Sequence, residues 1–400
     1  MTTMLRSTIV PGCMRPEDEL LLRCARVCVQ FEPDQQISEL VPQVTDWNHL
    51  LQLASRHAVT PLVSHALVQA QAPDLPAAVA GELRAASRDH AARTLQLTGE
   101  LVRLLDLFEA NAIHAVPFKG PALGTMLYGH VGLRSSIDLD ILIRRQDILR
   151  ATDLMIEHGY HTDLPTGAAQ QAAYLGARHE LHFTPADGDC LIELHQAFLA
   201  PFYSFAIDYD ALWARVERKS FCGRKILALR HSDLLLSLCA HATKHSWERL
   251  GWICDVARLL HITREELDWE EITTEASAIG ATRILMLGLS LATDLLGAPV
   301  PAEVLHGVKE SLHVHRLVSA VASALFAEPA DSELQSHLFF LRARERFRDR
   351  VTYCSRLALM PTDEDHSLLR LPSLLSPLYY PFHAFRVAGK YGLAPIRRRL

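Results

Sequence analysis

Arg134-Ser135-Ser136-Ile137-Asp138-Leu139-Asp140-Ile141-Leu142-Ile143, together with Phe118-Lys119-Gly120-Pro121 upstream of it, decides how this chain is read. Asp138 and Asp140 stand two apart inside an apolar run. The period of a β-strand predicts both carboxylates on one face, with Ile137, Leu139, Ile141 and Ile143 on the other. Two unit charges about 4 Å apart repel by roughly 4 kcal/mol at an effective dielectric of about 20, and a divalent cation between them reverses the sign. The pair therefore points to a Mg²⁺ site.

Asp-x-Asp alone is a loose pattern, of which a chain of this length yields about one by chance. This sequence holds four. Asp187-Gly188-Asp189 reads as a hairpin turn, Asp363-Glu364-Asp365 as a solvated loop after Pro361, and Asp208-Tyr209-Asp210 as a helix start with an acid as cap. Only Asp138 and Asp140 combine an apolar strand with a glycine-bearing helix start upstream.

Working outward, Ile113 to Phe118 reads as a short apolar strand and Pro121 to Tyr128 as a helix, with proline near its first turn where a missing N–H costs nothing. Gln146 to His158 is an amphipathic helix closed by Gly159. Strands follow at Tyr160–Thr162, Glu180–Thr184 and Cys190–His195, the last two joined by the hairpin connection 185–189. In the last of these Leu191, Glu193 and His195 share a face, which brings a third carboxylate and a histidine to the sheet surface, with His182 a candidate to pair with His195 across the hairpin. Lys225 to Leu229 is a final strand, and Ser232 is expected to cap the helix Asp233 to Lys244.

Before residue 110 the periodicity is helical. Leu20, Leu21, Cys24, Val27 and Cys28 repeat at three and four, Asp46 stands as a cap before Trp47, Leu50 and Leu51, and Pro61, Pro73 and Pro76 punctuate the helices that follow. Ala77 to Ala110 reads as one or two helices, and after residue 231 the chain is helical to about 360. Four regions result: an N-terminal helical region 1–110, an α/β core 111–230, a helical domain 231–372, and a tail 373–400. The tail mixes Tyr379, Tyr380, Phe382 and Phe385 with Arg386, Lys390, Arg397, Arg398 and Arg399, and reads as a docked aromatic segment with a basic end.

A composition that is 49% hydrophobic and 22% charged is that of a globular protein with a sizeable core. A net charge of −6 argues against general nucleic-acid binding, so a nucleic acid is not the favoured partner. Eight cysteines without a Cys-x-x-Cys pair, no signal-like N-terminus and no long apolar run lead to the expectation of a cytoplasmic protein with reduced thiols and no membrane span.

Three elements converge on one chemistry: a helix start after Lys119-Gly120, the Asp138/Asp140 pair, and Glu193 from a strand expected to be antiparallel. Backbone N–H groups at a helix start bind phosphate oxygens, and glycine permits close approach. Three carboxylates can hold two Mg²⁺ ions, one on a triphosphate and one activating an acceptor oxygen. Arg134 either contacts phosphate or caps its loop, and Ser136 either binds ligand or is an ordinary loop hydroxyl. His195 lies within reach of metals or acceptor. His241, Lys244 and His245, spaced i, i+3 and i+4, share a helix face that is either a cationic surface toward the nucleotide or a structural histidine cluster, with a zinc pair as the third reading. Trp252 is expected in the core, and Asp255 is placed to orient Lys244 or His245.

The chain resembles the bacterial uncharacterised nucleotidyltransferase family of the polymerase-beta-like superfamily. The matching words are Asp46-Trp47, Ala54-Ser55-Arg56-His57, Phe118-Lys119-Gly120, Leu127-Tyr128, Arg134 with Asp138-Leu139-Asp140, Glu193-Leu194-His195, and His241 to Trp247. The resemblance implies an α+β fold, a small mixed sheet flanked by helices, and Mg²⁺-dependent transfer of a nucleoside monophosphate from an NTP to a hydroxyl or phosphate acceptor on a small molecule, peptide or protein. By the same resemblance Asp138, Asp140 and Glu193 are the metal-binding and catalytic acids; from their own positions in the sequence Lys119, Gly120, Arg134, Ser136, His195, His241, Lys244 and His245 are candidates for binding nucleotide or substrate. The wider superfamily has Gly-Ser where this chain has Lys119-Gly120, so a lysine point charge stands where a hydroxyl would meet the triphosphate. Two alternatives accompany the leading reading: a non-catalytic nucleotide-sensing or assembly module, and a toxin-like enzyme modifying RNA ends.

Overall fold

The computed structural model describes residues 14–360 except 73, 166–170, 172–173, 177, 187, 189, 310 and 329–332, and beyond these residues 365, 368, 378–387 and 389. Five strands form a mixed sheet in the order β1 (Ala115–Pro117), β2 (Asp138–Ile143), β5 (Leu191–His195), β4 (Glu180–Pro185), β3 (Tyr160–Thr162). β6 (Glu217–Phe221) and β7 (Arg224–Ala228) make a separate hairpin. The architecture is α+β, with helices before the sheet and a largely helical region after it.

β2 lies between β1 and the central strand β5, antiparallel to β1 and parallel to β5. Glu193 therefore comes from a strand parallel to the acid pair, not antiparallel as expected; β5 is antiparallel only to β4. The chain between β2 and β5 carries the Ile148–Glu157 helix, β3 and β4, enough length for a parallel return.

One sheet face packs Leu139, Ile141 and Ile143 of β2 against Leu181, Phe183, Ile192 and Leu194, closed over by Leu97, Leu101, Leu104 and Phe108 of the Ala77–Ala110 helix. Complete burial of such a side chain contributes about 1.5–3 kcal/mol. Ile137 does not join this face; it precedes the strand and is exposed. Leu142, Val116 and Phe118 belong to a second, larger cluster that includes helices from both the N-terminal and the C-terminal parts of the chain. Val79 and Leu83 of the Ala77–Ala110 helix join that cluster too, so this single 34-residue helix spans both.

Local signals explain most boundaries. Asp46 accepts a hydrogen bond from His49 N, and Asp208 from Ala211 N, as caps of the Trp47–Arg56 and Tyr209–Ala214 helices. Gly159 has φ +84°, the left-handed stop its position suggested. Other boundaries moved. A 3₁₀ turn at Arg145–Asp147 precedes the Ile148–Glu157 helix, and β1 is shorter than the apolar run around it. Ser232 is not a cap: the helix runs His231–Lys244 with extended Arg230 before it, and Ser232 is buried within the first turn.

Asp365 is buried, not solvated, and accepts from Arg386 Nε at 2.6 Å while lying 2.6 Å from His383 Nδ1. That cluster docks the Tyr379–Val387 helix against the Phe347–Leu359 helix, where His383 also meets the Leu357 carbonyl at 2.9 Å. Pro73, Asp187, Asp189, Asp363, Glu364, Lys390 and Arg397 to Arg399 lie outside the described residues. Among those described, no helix is long and apolar enough to cross a membrane.

Candidate active site

The acid-bearing face of the sheet is built by register. In the β2–β5 pair Asp140 is opposite Glu193 and Leu142 opposite His195; in the β4–β5 pair His182 is opposite Glu193 and Glu180 opposite His195. Asp138, Asp140, Glu193, His195, Glu180 and His182 thus lie on one face, and the row ends at Leu142, where the sheet enters the larger apolar cluster. His182 faces Glu193 across the hairpin, not His195 as anticipated.

The turn from β1 into the next helix runs along this row. Phe118 N donates to the Asp140 carbonyl at 3.2 Å, Lys119 caps the Gly120–Tyr128 helix in extended conformation, and Gly120 adopts φ +60°. A Cβ on Gly120 would stand 3.1 Å from the Asp138 carbonyl oxygen, so both the dihedral and the close approach select glycine.

Lys119 points inward and is ion-paired with Asp140. Burial would lower the pKa of its ammonium, but Asp140, then Asp138 and Glu193, more than offset this and raise it. Asp140 also meets His195 Nε2 at 3.0 Å, and the same nitrogen lies 3.2 Å from Glu193 Oε2. Burial pushes the Asp140 carboxyl up, yet Lys119 and His195 together hold it well below the ordinary carboxylate range. His195, which burial alone would lower, is raised to about 9 by Asp140 and Glu193. Asp138 has no such partner: burial first, then repulsion from Asp140, raise it to about 6 against the opposing pull of Lys119. The pocket therefore carries more negative charge than its own cations neutralise.

Arg134 and Ser136 support the turn. Arg134 Nε donates to both oxygens of Asp255 at 3.1 and 3.0 Å, and Nη1 donates to Ser136 Oγ at 3.2 Å and to the Gly120 carbonyl at 3.4 Å. Asp255 is buried and committed to Arg134, not to Lys244 or His245 as the sequence suggested.

The face expected to be cationic at His241, Lys244 and His245 has two neutral members. His241 and His245 lie 4.9 Å apart by ring centroids and 5.4 and 5.3 Å from the half-buried Trp252. Burial, then Lys119, pushes His241 well below its ordinary pKa, and burial lowers His245 to about 3. Trp247 is the fully buried tryptophan of this segment, its indole N–H donating to Thr243 Oγ1 at 3.0 Å.

Two residues that sequence reasoning passed over belong to the same face. His179 Nε2 lies 2.9 Å from Glu180 Oε2, and Glu180 is 3.5 Å from His195 Nδ1. The signal for Glu180 was present in the alternation Glu180-x-His182 opposite Glu193-x-His195, which register turns into one polar row, whereas His179 lies one residue before β4, outside that alternation. The word Ala54-Ser55-Arg56-His57 proves structural: His57 Nδ1 accepts from Leu250 N at 3.2 Å and Nε2 faces the Leu325 carbonyl at 2.9 Å.

Compared with known protein families, residues 43–297 match the family described as Uncharacterised nucleotidyltransferase. Neither the curated proteins nor the solved structures give a match.

Proposed function

The chain belongs to this uncharacterised nucleotidyltransferase family, and from that premise we propose that Asp138, Asp140 and Glu193 bind Mg²⁺ and that the site transfers a nucleoside monophosphate from an NTP to a hydroxyl or phosphate acceptor. The observation that carries this reading is the register of Asp140 against Glu193, with Asp138 two residues earlier beside the Gly120 turn. The donor set suits a hard cation. Asp138 raised to about 6 despite the nearby Lys119 ammonium marks a site where further positive charge is favoured.

When bound there, Mg²⁺ neutralises triphosphate charge and lowers the pKa of an acceptor hydroxyl. The rest is done by the chain. N–H groups at the start of the Gly120–Tyr128 helix, which has no side-chain cap, hold phosphate oxygens. Lys119, exchanged from Asp140, places its ammonium on the triphosphate. The acceptor oxygen attacks the α-phosphorus, its proton passes to Glu193, and the bond to the departing pyrophosphate breaks in line. His195 holds Asp140 and Glu193 in position through Nε2. Arg134 keeps the Gly120 carbonyl fixed while Asp255 supplies its countercharge. His241 and His245, neutral against Trp252, form an uncharged wall beside Lys119, and the half-buried Lys244 is left as a second cation for substrate phosphate.

The test is label transfer and pyrophosphate release from the four NTPs in cell extract with Mg²⁺. Asp138→Asn and Asp140→Asn are each expected to lower turnover by about 10²–10³-fold or more. Turnover at wild-type rate in the double variant excludes the reading. The pairing of Lys119 with Asp140 favours one second reading, a nucleotide-sensing module without turnover. Calorimetry with and without Mg²⁺ separates the two: the sensor binds an NTP but releases no pyrophosphate with any acceptor.

A further inference from the structure

We propose that His179, Glu180 and His195 form a second cation site, on the far side of His195 from the carboxylate pocket, that binds one transition-metal ion of the Zn²⁺ class. His179 Nε2 and His195 Nδ1 lie 2.9 and 3.5 Å from the same oxygen, Glu180 Oε2, and the three ligand atoms are all within 4.8 Å of one another. With bonds of about 2.05 Å, two ligands of a tetrahedral ion stand about 3.3 Å apart. The two separations from Glu180 Oε2 bracket that spacing.

Hydrogen-bond accounting points the same way. Both histidine nitrogens are buried without a hydrogen-bond partner, on side chains whose residues are only 6% and 2% exposed. His179 Nε2 is close enough to Glu180 for a hydrogen bond but misaligned for one. Buried imidazole nitrogens are rarely left unmet, and two of them converging on one carboxylate oxygen form a vacant donor set. The opposite nitrogen of His195 lies 3.0 Å from Asp140 Oδ1, the carboxylate partner that a metal-bound histidine ordinarily has on its other ring nitrogen.

The backbone fixes these donors in place. Glu180 opens β4 opposite His195, and Gln196 N donates to the His179 carbonyl at 2.7 Å, tying the residue before β4 to the end of β5. Gln196 Nε2 donates in turn to the carbonyls of Leu175 and Arg178 at 2.6 and 2.7 Å. Two imidazoles and one carboxylate suit Zn²⁺ and its first-row neighbours, whereas Mg²⁺ prefers an all-oxygen shell. Three protein ligands leave a fourth position for water or a substrate oxygen. His182 stands beside the site, its side chain 42% exposed and its Nε2 3.6 Å from the other Glu180 oxygen.

The site does not depend on the proposed nucleotidyl transfer, and its test reads metal binding alone. Full-chain protein, stripped with chelator, is titrated with Co²⁺ in excess Mg²⁺ and followed by visible d–d absorption, then challenged with Zn²⁺. About one equivalent of Co²⁺ in a low-symmetry, four- or five-coordinate spectrum, displaced by Zn²⁺, is expected. His179→Gln and Glu180→Gln abolish that spectrum, and Asp140→Asn, which keeps all three ligands, weakens Co²⁺ by about 10–100-fold. No bound Co²⁺ in the wild type overturns the proposal. So does binding that survives in His179→Gln and Glu180→Gln, which would place the ion on Asp140, Glu193 and His195 instead. The melting temperature of the wild type with and without Zn²⁺ gives a reading free of variant folding: a rise is expected, and its absence overturns the site.

Discussion

Arg134 and Asp255 form a buried pair whose contribution to stability can be read apart from any ligand. Both are nearly enclosed; burial would lower the arginine, and Asp255 more than restores it. Removing one partner leaves the other charged in low dielectric, so Arg134→Met is expected to cost about 3–5 kcal/mol by urea denaturation, and the double change Arg134→Met with Asp255→Leu much less. Equal destabilisation in the single and double variants would show that the pair contributes through packing alone. Sequence reasoning weighed Arg134 as a phosphate contact because a lone arginine beside two acids carries no label for its partner. That partner lies 121 positions away.

At the scale of elements, the turn between β1 and the Gly120–Tyr128 helix sets the distance between phosphate donors and acids. Gly120→Ala places a Cβ at 3.1 Å from the Asp138 carbonyl in a left-handed backbone. The dihedral alone costs about 1–2 kcal/mol. The variant is expected to fold with that loss, measured by thermal denaturation, and to lose turnover out of proportion to it, since the strand end must yield by a few tenths of an ångström. A variant as stable and as active as the parent would show the turn to be tolerant. The two-residue period made β2 and β5 legible as acid-bearing strands, because alternation is a property of neighbours in the chain. β6 was not, since Glu217-Arg218-Lys219-Ser220-Phe221 alternates exposure without alternating chemistry. Its partner β7 supplies the reason for its existence.

For the molecule as a whole, His57 joins parts distant in sequence. It accepts from Leu250 N, meets the Leu325 carbonyl, and its own carbonyl accepts from Gly251 N at 3.0 Å. Burial holds it neutral, with a pKa lowered to about 4. The unfolded chain, with His57 near about 6.5, binds the proton first, so this contribution is whole above about 6.5 and is lost as pH falls through about 4. It amounts to about 3 kcal/mol at most. In His57→Gln the rise of unfolding free energy with pH between about 4 and 6.5 is expected to be shallower by up to about 1.4 kcal/mol per pH unit, read from denaturant titrations across that range. An unchanged slope would mean that the ring is already hydrated in the native state. His179, lowered to about 4 by its burial, acts in the same direction and leaves a residual slope in the variant.

Taken alone, the sequence determined what depends on short chain distances: the Asp138/Asp140 strand, the Gly120 helix start, the caps at Asp46 and Asp208, the left-handed stop at Gly159, and the face shared by Glu193 and His195. Only the tertiary structure decided that β5 runs parallel to β2, that Lys119 and His195 flank Asp140, that Arg134 belongs to Asp255, that the histidines beside Trp252 are uncharged, and that His179 and Glu180 join the row. Periodicity is written in adjacent residues, whereas register, charge pairing and burial are properties of segments brought together across tens to hundreds of positions. No local pattern encodes which of several available carboxylates a buried cation will meet.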